Sequence, residues 1–455
     1  MDSVRVMVDM SATLVHYGHI RLLKKAKTFL PDKKIVLIVG LTSDEEIKSV
    51  KGYNSELNFE ERKELLEAIE YVDEVVPTPW KITQEVLDQY NIEILVHGSD
   101  NSNEIENIKV FPRTVGVSSE ELRERALSAI VEKRNSLKPM FTPGPSNLSK
   151  DSLLDIRPAF GRDDQEYLQI ESEVLENVRN LTGHDQIIRL QGSATTAIDV
   201  ATSNFVLGEV LIIDSGYYSN RLIDIYERKL ETLNHTNITI IKYEDINDEL
   251  KNDREFDWIA TTYTETADAF IADIHLLKEV TRKKSAKLFL DATASINLED
   301  HHNLSDACAF SSCKGLSGLT GAGFITFNTN CINNKLKGIL PWALDLETYS
   351  NKKTTGPYHA ICSLFTISKK FDEIKQNVKD SKQYFLNNYA DRIIRPMEDQ
   401  PNLSTMLRAK EISFTKGIPY SPRTAEKGSF VICHLGDAFS TKKEIGNIYN
   451  NIKLK

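Results

Sequence analysis

Two histidines three residues apart, in His16-Tyr17-Gly18-His19, carry the first chemistry in this chain. They directly follow an apolar run, VRVMVDM, at the point where a helical pattern begins. In open parallel sheets, ligands collect at the carboxyl ends of strands. A helix start there presents unpaired N–H groups and a partial positive charge. Two imidazoles, with Gly18 allowing close backbone approach, suit the phosphates of a nucleoside triphosphate. Two surface histidines at a helix start would read the same way. A second group lies about a hundred residues on: Arg113, then Ser118 and Ser119, then EELRERAL. Here hydroxyls would cap a helix, with an arginine near for phosphate. Alone it is an ordinary capped helix; both groups in one βαβ domain, in this order, favour phosphate chemistry.

The second half carries another ordered set. Gln191-Gly192-Ser193-Ala194-Thr195 follows the apolar run IIRL and opens a helical stretch, forming a phosphate cradle. Tyr218 lies in DSGYYSNRL. Asp291 ends KLFL. Lys314 lies in SSCKGLSGLTGAGF, where glycines let the chain turn tightly. A lysine able to take up an aldehyde, a buried carboxylate, a phosphate loop and a stacking ring are what pyridoxal phosphate (PLP) requires. Singly, each piece has a plain alternative: a solvated lysine, a turn aspartate, a common αβ connection. The order of the set carries the reading.

These residues need particular elements to position them. VRVMVDM, KKIVLIVGL, DEVVPT, ILVHGSD and KVFPRT are strand candidates. HIRLLKKAKTFL, FEERKELLEAIEYV and TQEVLDQY alternate with them as helices, which predicts a parallel, doubly wound sheet. SSEELRERALSAIVEKRNS predicts a charged amphipathic helix that closes this first domain, and FTPGPSNLS restarts the chain. The expected domains are 1–134 and 139–455. In the second, seven strand candidates between IIRLQG and GFITFN predict a large α/β part to about residue 345. A small α+β part, ending in FVICHLGD, follows.

Composition narrows the class. The chain has 455 residues, too many for one ordinary core. A net charge of -10 argues against a general nucleic-acid binder. The N-terminus lacks a signal core, no run of 18 uncharged apolar residues occurs, and the five cysteines form no CxxC pair. The expectation is a cytoplasmic enzyme with free thiols, without nucleic-acid or membrane partners.

The first part resembles glycerol-phosphate and ethanolamine-phosphate cytidylyltransferases, which carry HxGH and R-T-x-G-I-S-[ST]. The resemblance matches Lys51 to the family lysine after the second strand, and also reaches Arg62, Trp80 and the Gly98-Ser99-Asp100 turn. One run departs: the family's G-T-F-D-L-x-H is Met10-Ser11-Ala12-Thr13-Leu14-Val15-His16 here, so Thr13 replaces an aspartate. This M-S-A-x-L-x-H form is closer to domains attached to phosphonate-pathway enzymes. The resemblance implies in-line attack on the α-phosphate of CTP by a phosphate or phosphonate oxygen, with Mg²⁺ as counter-ion. His16 and His19 would meet the developing charge. Lys51 and Arg113 would grip phosphate oxygens. Ser11, Gly18, Asp100, Ser118 and Ser119 would complete the nucleotide site.

The second part resembles class V aminotransferases, 2-aminoethylphosphonate–pyruvate transaminase above all. Shared runs are Phe141 to Pro145, Leu190 to Thr195, Ser215 to Arg221, Tyr263 to Ala269 with Thr266, and those from Asp291 and Ser311. Thr354-Thr355-Gly356-Pro357 resembles the segment that reaches a neighbouring subunit's PLP phosphate, which implies a homodimer. The family's carboxylate-binding arginine is Val431 here, leaving Arg423 as the substitute cation, an unusual amino donor, or different PLP chemistry. The implied fold is a Rossmann-like HxGH nucleotidyltransferase domain followed by a class V PLP fold. The expected function is amination of a phosphonate aldehyde to 2-aminoethylphosphonate, then CTP-dependent activation of the product. Alternatives are a phosphate-ester acceptor (ethanolamine phosphate, glycerol phosphate or an aminated triose phosphate) and a non-catalytic PLP-fold module.

Overall fold

The computed structural model describes residues 3–99, 103, 105–135, 139–161, 163–229, 236–332, 340–351, 354–422, 427–439 and 442–455. The chain forms two compact units, Met1–Glu132 and Lys133–Lys455. No helix among the described residues is long and apolar enough to cross a membrane.

In the first unit the elements run β1 (Ser3–Met10), α1 (Tyr17–Thr28), β2 (Lys34–Thr42), α2 (Asp44–Lys51), α3 (Phe59–Glu67), β3 (Glu74–Thr78), α4 (Gln84–Gln89), β4 (Ile94–Gly98), β5 (Ile108–Phe111) and α5 (Ser119–Asn135). The five strands make one sheet in the order β3-β2-β1-β4-β5, with every pairing parallel. Val6, Met7 and Val8 on β1 are fully buried, because helices cover both faces of a parallel sheet. The strand order reverses between β1 and β4, which opens a crevice at their carboxyl ends.

Sequence patterning predicts a single helix between β2 and β3, running to Val72. The structure has two. Ser43 caps α2 by accepting the Glu46 N–H at 3.3 Å, and Gly52, at φ +76°, stops it. Asn58 and Glu61 then form a reciprocal cap for α3, which ends at Glu67. The extra helix carries Lys51 on its last turn.

The second unit begins with α6 (Lys150–Leu154), α7 (Gln165–Asn180), β6 (Gln186–Gln191), α8 (Ala194–Asn204), β7 (Glu209–Asp214), α9 (Tyr217–Glu227), β8 (Asn237–Lys242), α10 (Ile246–Glu249), β9 (Trp258–Thr262), β10 (Thr264–Glu265) and β11 (Phe270–Ile271). It continues with α11 (Ile274–Lys283), β12 (Lys287–Asp291), β13 (Ala307–Ser311), β14 (Ala322–Phe327), α12 (Leu346–Ser350) and α13 (Tyr358–Cys362). A seven-stranded sheet runs β6-β14-β13-β12-β9-β7-β8. β14 is antiparallel to both its neighbours, a reversal that the alternating pattern did not predict. Its cause is local. The segment 312–321 between β13 and β14 is too short for a helical crossover, so the chain turns straight back. That turn holds Lys314.

The chain closes with α14 (Phe371–Tyr389), β15 (Ser404–Arg408), β16 (Ile412–Phe414), β17 (Ser429–Cys433), α15 (Lys442–Tyr449) and β18 (Ile452–Leu454). Two antiparallel pairs, β15 with β17 and β16 with β18, make this the α+β part.

Candidate active sites

A cavity of about 610 Å³ lies in the first unit. His16, His19, Lys51, Arg113, Ser118 and Ser119 all line it, with Ser11 and Gly18. His16 is the N-cap of α1. Its Nδ1 accepts the Gly18 N–H at 3.2 Å, and its own N–H donates to His19 Nδ1 at 3.2 Å. The rings stack with centroids 3.9 Å apart. With both Nδ1 atoms accepting, the neutral rings carry their protons on Nε2. Burial lowers both pKa values, that of His19 to about 3, with His16 and Arg113 adding to the effect there. The pair therefore presents neutral Nε2–H donors. Gly18 is required for closeness: a Cβ there would meet His16 Nδ1 at 3.0 Å and Val117 Cγ1 at 3.1 Å.

Lys51 reaches across from α2 and donates to Ser11 Oγ at 3.2 Å, with its amine 5.4 Å from the Trp80 ring centre. Burial lowers its pKa, and the charge of Arg123 lowers it further. Ser118 caps α5, accepting the Glu121 N–H at 3.0 Å. Ser119 Oγ donates to the Leu14 carbonyl at 3.4 Å. The loop that ends in the histidines is held from beneath by Arg62, which is fully buried. Its guanidinium donates to the carbonyls of Ser11 (2.5 Å), Thr42 (3.0 Å) and Leu57 (3.1 Å), and to Asp44 Oδ1 (2.6 Å). Asp100 lies outside the described residues.

In the second unit, β12 ends on Asp291, 1% exposed, beside the turn that carries Lys314. Lys314 Nζ sits 5.4 Å from the Tyr218 ring centre. Desolvation lowers the lysine pKa, opposed by Asp291. A Cβ on Gly144, whose φ is +138°, would meet Lys314 Cγ at 2.9 Å, so Phe141 to Pro145 forms one wall of the lysine's slot. Gly192 precedes Ser193, the N-cap of α8, and Ala194 and Thr195 form the helix's first turn. Arg221 links the cradle to the carboxylate, donating to Thr195 Oγ1 at 3.2 Å and to Asp291 Oδ2 at 2.8 Å. Glu265 accepts the N–H groups of Tyr218 (2.9 Å) and Ser219 (2.8 Å), fixing the start of α9; burial raises its pKa to about 7.

The adjacent Thr266 is fully buried. Val431 is 1% exposed and joins an apolar cluster with Ala269, Met406 and Cys433. Thr354 and Thr355 precede α13, and Gly356 abuts the Arg189 guanidinium. Arg423 lies outside the described residues. The slot, the buried carboxylate, the ring and the helix start together fit PLP. Among the described residues, no group of three or more His, Cys, Asp or Glu side chains could hold a metal.

A family model described as cytidylyltransferase-like matches residues 12–144. Glycerol-3-phosphate cytidylyltransferase of Bacillus subtilis is 37% identical over 120 residues, covering 24% of this chain and 88% of that protein. The chain belongs to the cytidylyltransferase-like family. Ethanolamine-phosphate cytidylyltransferase of Arabidopsis thaliana is 32% identical over 168 residues, 32% of this chain, which spans only 39% of that relative's length. Among solved structures, ureidoglycine–glyoxylate aminotransferase from Bacillus subtilis aligns with a TM-score of 0.59 at 18% identity. It covers 68% of this chain and 90% of the other. Pyridoxamine–pyruvate aminotransferase from Mesorhizobium loti gives 0.58 at 14% identity, covering 69% and 92%. Coverage so large must extend through the second unit, which thus has the aminotransferase fold.

The cavity of the first unit also has lining residues that sequence patterning missed. Tyr53 and Arg123 line it, and Arg123 donates to the buried Thr13 Oγ1 at 3.1 Å. In the second unit, Arg221 and Glu265 were visible only as members of matched runs. Neither role follows from local pattern, because each depends on which strands become neighbours.

Proposed function

We propose that this chain is a bifunctional enzyme: a CTP-dependent cytidylyltransferase joined to a PLP-dependent aminotransferase. The acceptor is an aminated phosphonate, 2-aminoethylphosphonate, which the second domain makes from the aldehyde. The observation that carries the first half is the pair of Nε2–H donors of His16 and His19, fixed at the carboxyl end of β1. An acceptor oxygen attacks the α-phosphorus of CTP in line, forming a P–O bond as the bond to the β-phosphate breaks and pyrophosphate leaves. The two Nε2–H groups and Lys51 stabilise the charge on the transferring group. Arg113 and Ser118 hold the outgoing phosphates, and Mg²⁺ accompanies the nucleotide.

In the second domain, Lys314 would attach the cofactor. Desolvation lowers its pKa, which favours the unprotonated amine that attachment requires. Ser193 and Thr195 would take the cofactor's phosphate, Tyr218 would face its ring, and Asp291 would hold a proton at its ring nitrogen. PLP, when bound, supplies an electron sink for charge developing beside an amine. Thr354 and Thr355 act across a homodimer. What supports the pairing of activities is the fusion: one small molecule bearing an amine and a phosphorus acid serves both sites.

Two other readings have specific support. The relatives named for glycerol 3-phosphate and ethanolamine phosphate favour a phosphate-ester acceptor. The apolar surroundings of Val431 favour a PLP-fold module without amino-acid donors. The test is a product screen with CTP, Mg²⁺ and a panel of phosphonates and phosphate esters, read by mass spectrometry. A CMP adduct of 2-aminoethylphosphonate supports the first reading, and adducts of phosphate esters alone replace it.

A further inference from the structure

We propose that Arg408 is the specificity-determining residue of the PLP site, binding a substrate acid group carried one carbon beyond the amine-bearing carbon, with Ser404 as a second contact. This rests on the amino-transfer reading above.

β15 and β17 pair with Ser404 opposite Cys433, Met406 opposite Val431 and Arg408 opposite Ser429. Alternate residues of a strand share a face, so these pairs form three successive rows on one face, each about 7 Å from the next. The first row adjoins the lysine. The Cys433 N–H donates to the Phe141 carbonyl at 3.2 Å, and Phe141 to Pro145 wall the Lys314 slot. Cys433 and Lys314 also lie close enough to act on each other's ionisation. The second row is apolar, with Met406 and Val431 packed against Ala269. The third carries Arg408. Ser404 and Met406 are buried and Arg408 is exposed, so the face runs from the lysine out to solvent.

Met406 and Val431 offer an acid group no partner, and Arg221 is held by Asp291 and Thr195. Arg408 is placed to supply the charge. It is the diagonal neighbour of Val431, about 7–8 Å away and within reach of a long side chain. Its methylenes can lie over the valine while the guanidinium reaches inward. That guanidinium has no hydrogen bond or ion pair among the described residues. At the inner end, Ser404 is fully buried and its Oγ has no partner among the described residues. A buried hydroxyl left unmet is costly, and a ligand oxygen lying along this face would meet it. A cation one row beyond Val431 suits an acid set off from the reacting carbon by a spacer. The planar fork takes two oxygens of a phosphonate or carboxylate.

The test uses the full chain loaded with PLP. Ethylphosphonate, which has the acid but no amine, is titrated against the cofactor absorbance. Rapid mixing then follows the same absorbance with 2-aminoethylphosphonate, β-alanine, L-alanine and ethylamine. For Arg408→Gln, the half-saturating concentrations of ethylphosphonate, 2-aminoethylphosphonate and β-alanine should rise on the order of a hundredfold. Those of L-alanine, whose acid is on the reacting carbon, and ethylamine, which has none, should change by less than about threefold. Arg408→Lys, which keeps the charge but not the fork, should recover part of the loss. Ser404→Ala should raise the 2-aminoethylphosphonate value by roughly fivefold to tenfold. Unchanged half-saturation by ethylphosphonate and 2-aminoethylphosphonate in Arg408→Gln overturns the assignment, as does an equal rise for all four amines. A wild-type chain whose cofactor absorbance none of the amines changes overturns the amino-transfer reading and this inference with it.

Discussion

His16 and His19 are locked to one another: stacked at 3.9 Å, each Nδ1 accepting a backbone N–H of the same turn. This arrangement fixes the tautomer before any ligand arrives. A phosphoryl group approaching the cavity meets two donors that need no reorganisation, which is where electrostatic preorganisation contributes most.

Replacing either histidine by alanine should therefore lower cytidylyl transfer by about 10²–10³ in kcat. The visible spectrum of the PLP domain should not change. His16→Ala should also lose about 1 kcal/mol of helix-start stability, because His16 caps α1. Turnover at the wild-type rate in either variant contradicts the role given to the pair.

Lys314→Ala should abolish covalent attachment of PLP and all amino transfer while cytidylyl transfer persists. Borohydride reduction followed by peptide mapping reads this directly. A reduced cofactor adduct on any other lysine contradicts the assignment.

Gly144→Ala probes the slot around that lysine. A Cβ would stand 2.9 Å from Lys314 Cγ, on a backbone at φ +138° that favours glycine. PLP affinity, followed by absorbance on titration, should fall at least about tenfold, with a stability loss of roughly 1–3 kcal/mol. Cofactor binding as tight as wild type would show that the slot has room to relax.

Arg62→Met keeps the bulk of the side chain and removes its donors. Three carbonyls and Asp44 then lose their partner at a fully buried position. The first unit should lose about 3–5 kcal/mol, read by denaturant unfolding. A loss under about 1 kcal/mol would mean that the β1–α1 loop is held by other contacts.

Acid should destabilise the second unit through His302 and His434. Burial lowers both pKa values to about 3, against 6.5 for an exposed histidine. Below pH 6.5 the unfolded chain takes up protons that the folded one refuses. Stability is therefore full above 6.5 and lost progressively as pH falls towards 3. At about 1.4 kcal/mol per unit, each contributes a loss on the order of 2 kcal/mol at pH 5. Denaturant midpoints for His302→Asn and His434→Gln should show a shallower fall between pH 7 and 5. An identical slope in wild type and both variants contradicts this.

By itself, the sequence determined what depends on near neighbours along the chain. His16 and Gly18 are two residues apart, and His16 and His19 three, so one turn of helix brings them together in any fold that starts α1 there. The Ser118 cap and the Ser193 helix start are local in the same sense. The strand–helix alternation was legible because burial on both faces demands long apolar runs. Its exceptions, the additional α2 and the reversal at β14, follow from a cap and a short turn that periodicity does not register. Only the tertiary structure decided the rest. Arg123 and Thr13 are 110 residues apart, Arg221 and Asp291 are 70 apart, and Arg62 finds Ser11 across 51. A charged side chain reads alike in sequence whether it is solvated or held in a cavity. The difference arises only when the order of strands in a sheet brings a distant partner within hydrogen-bonding reach.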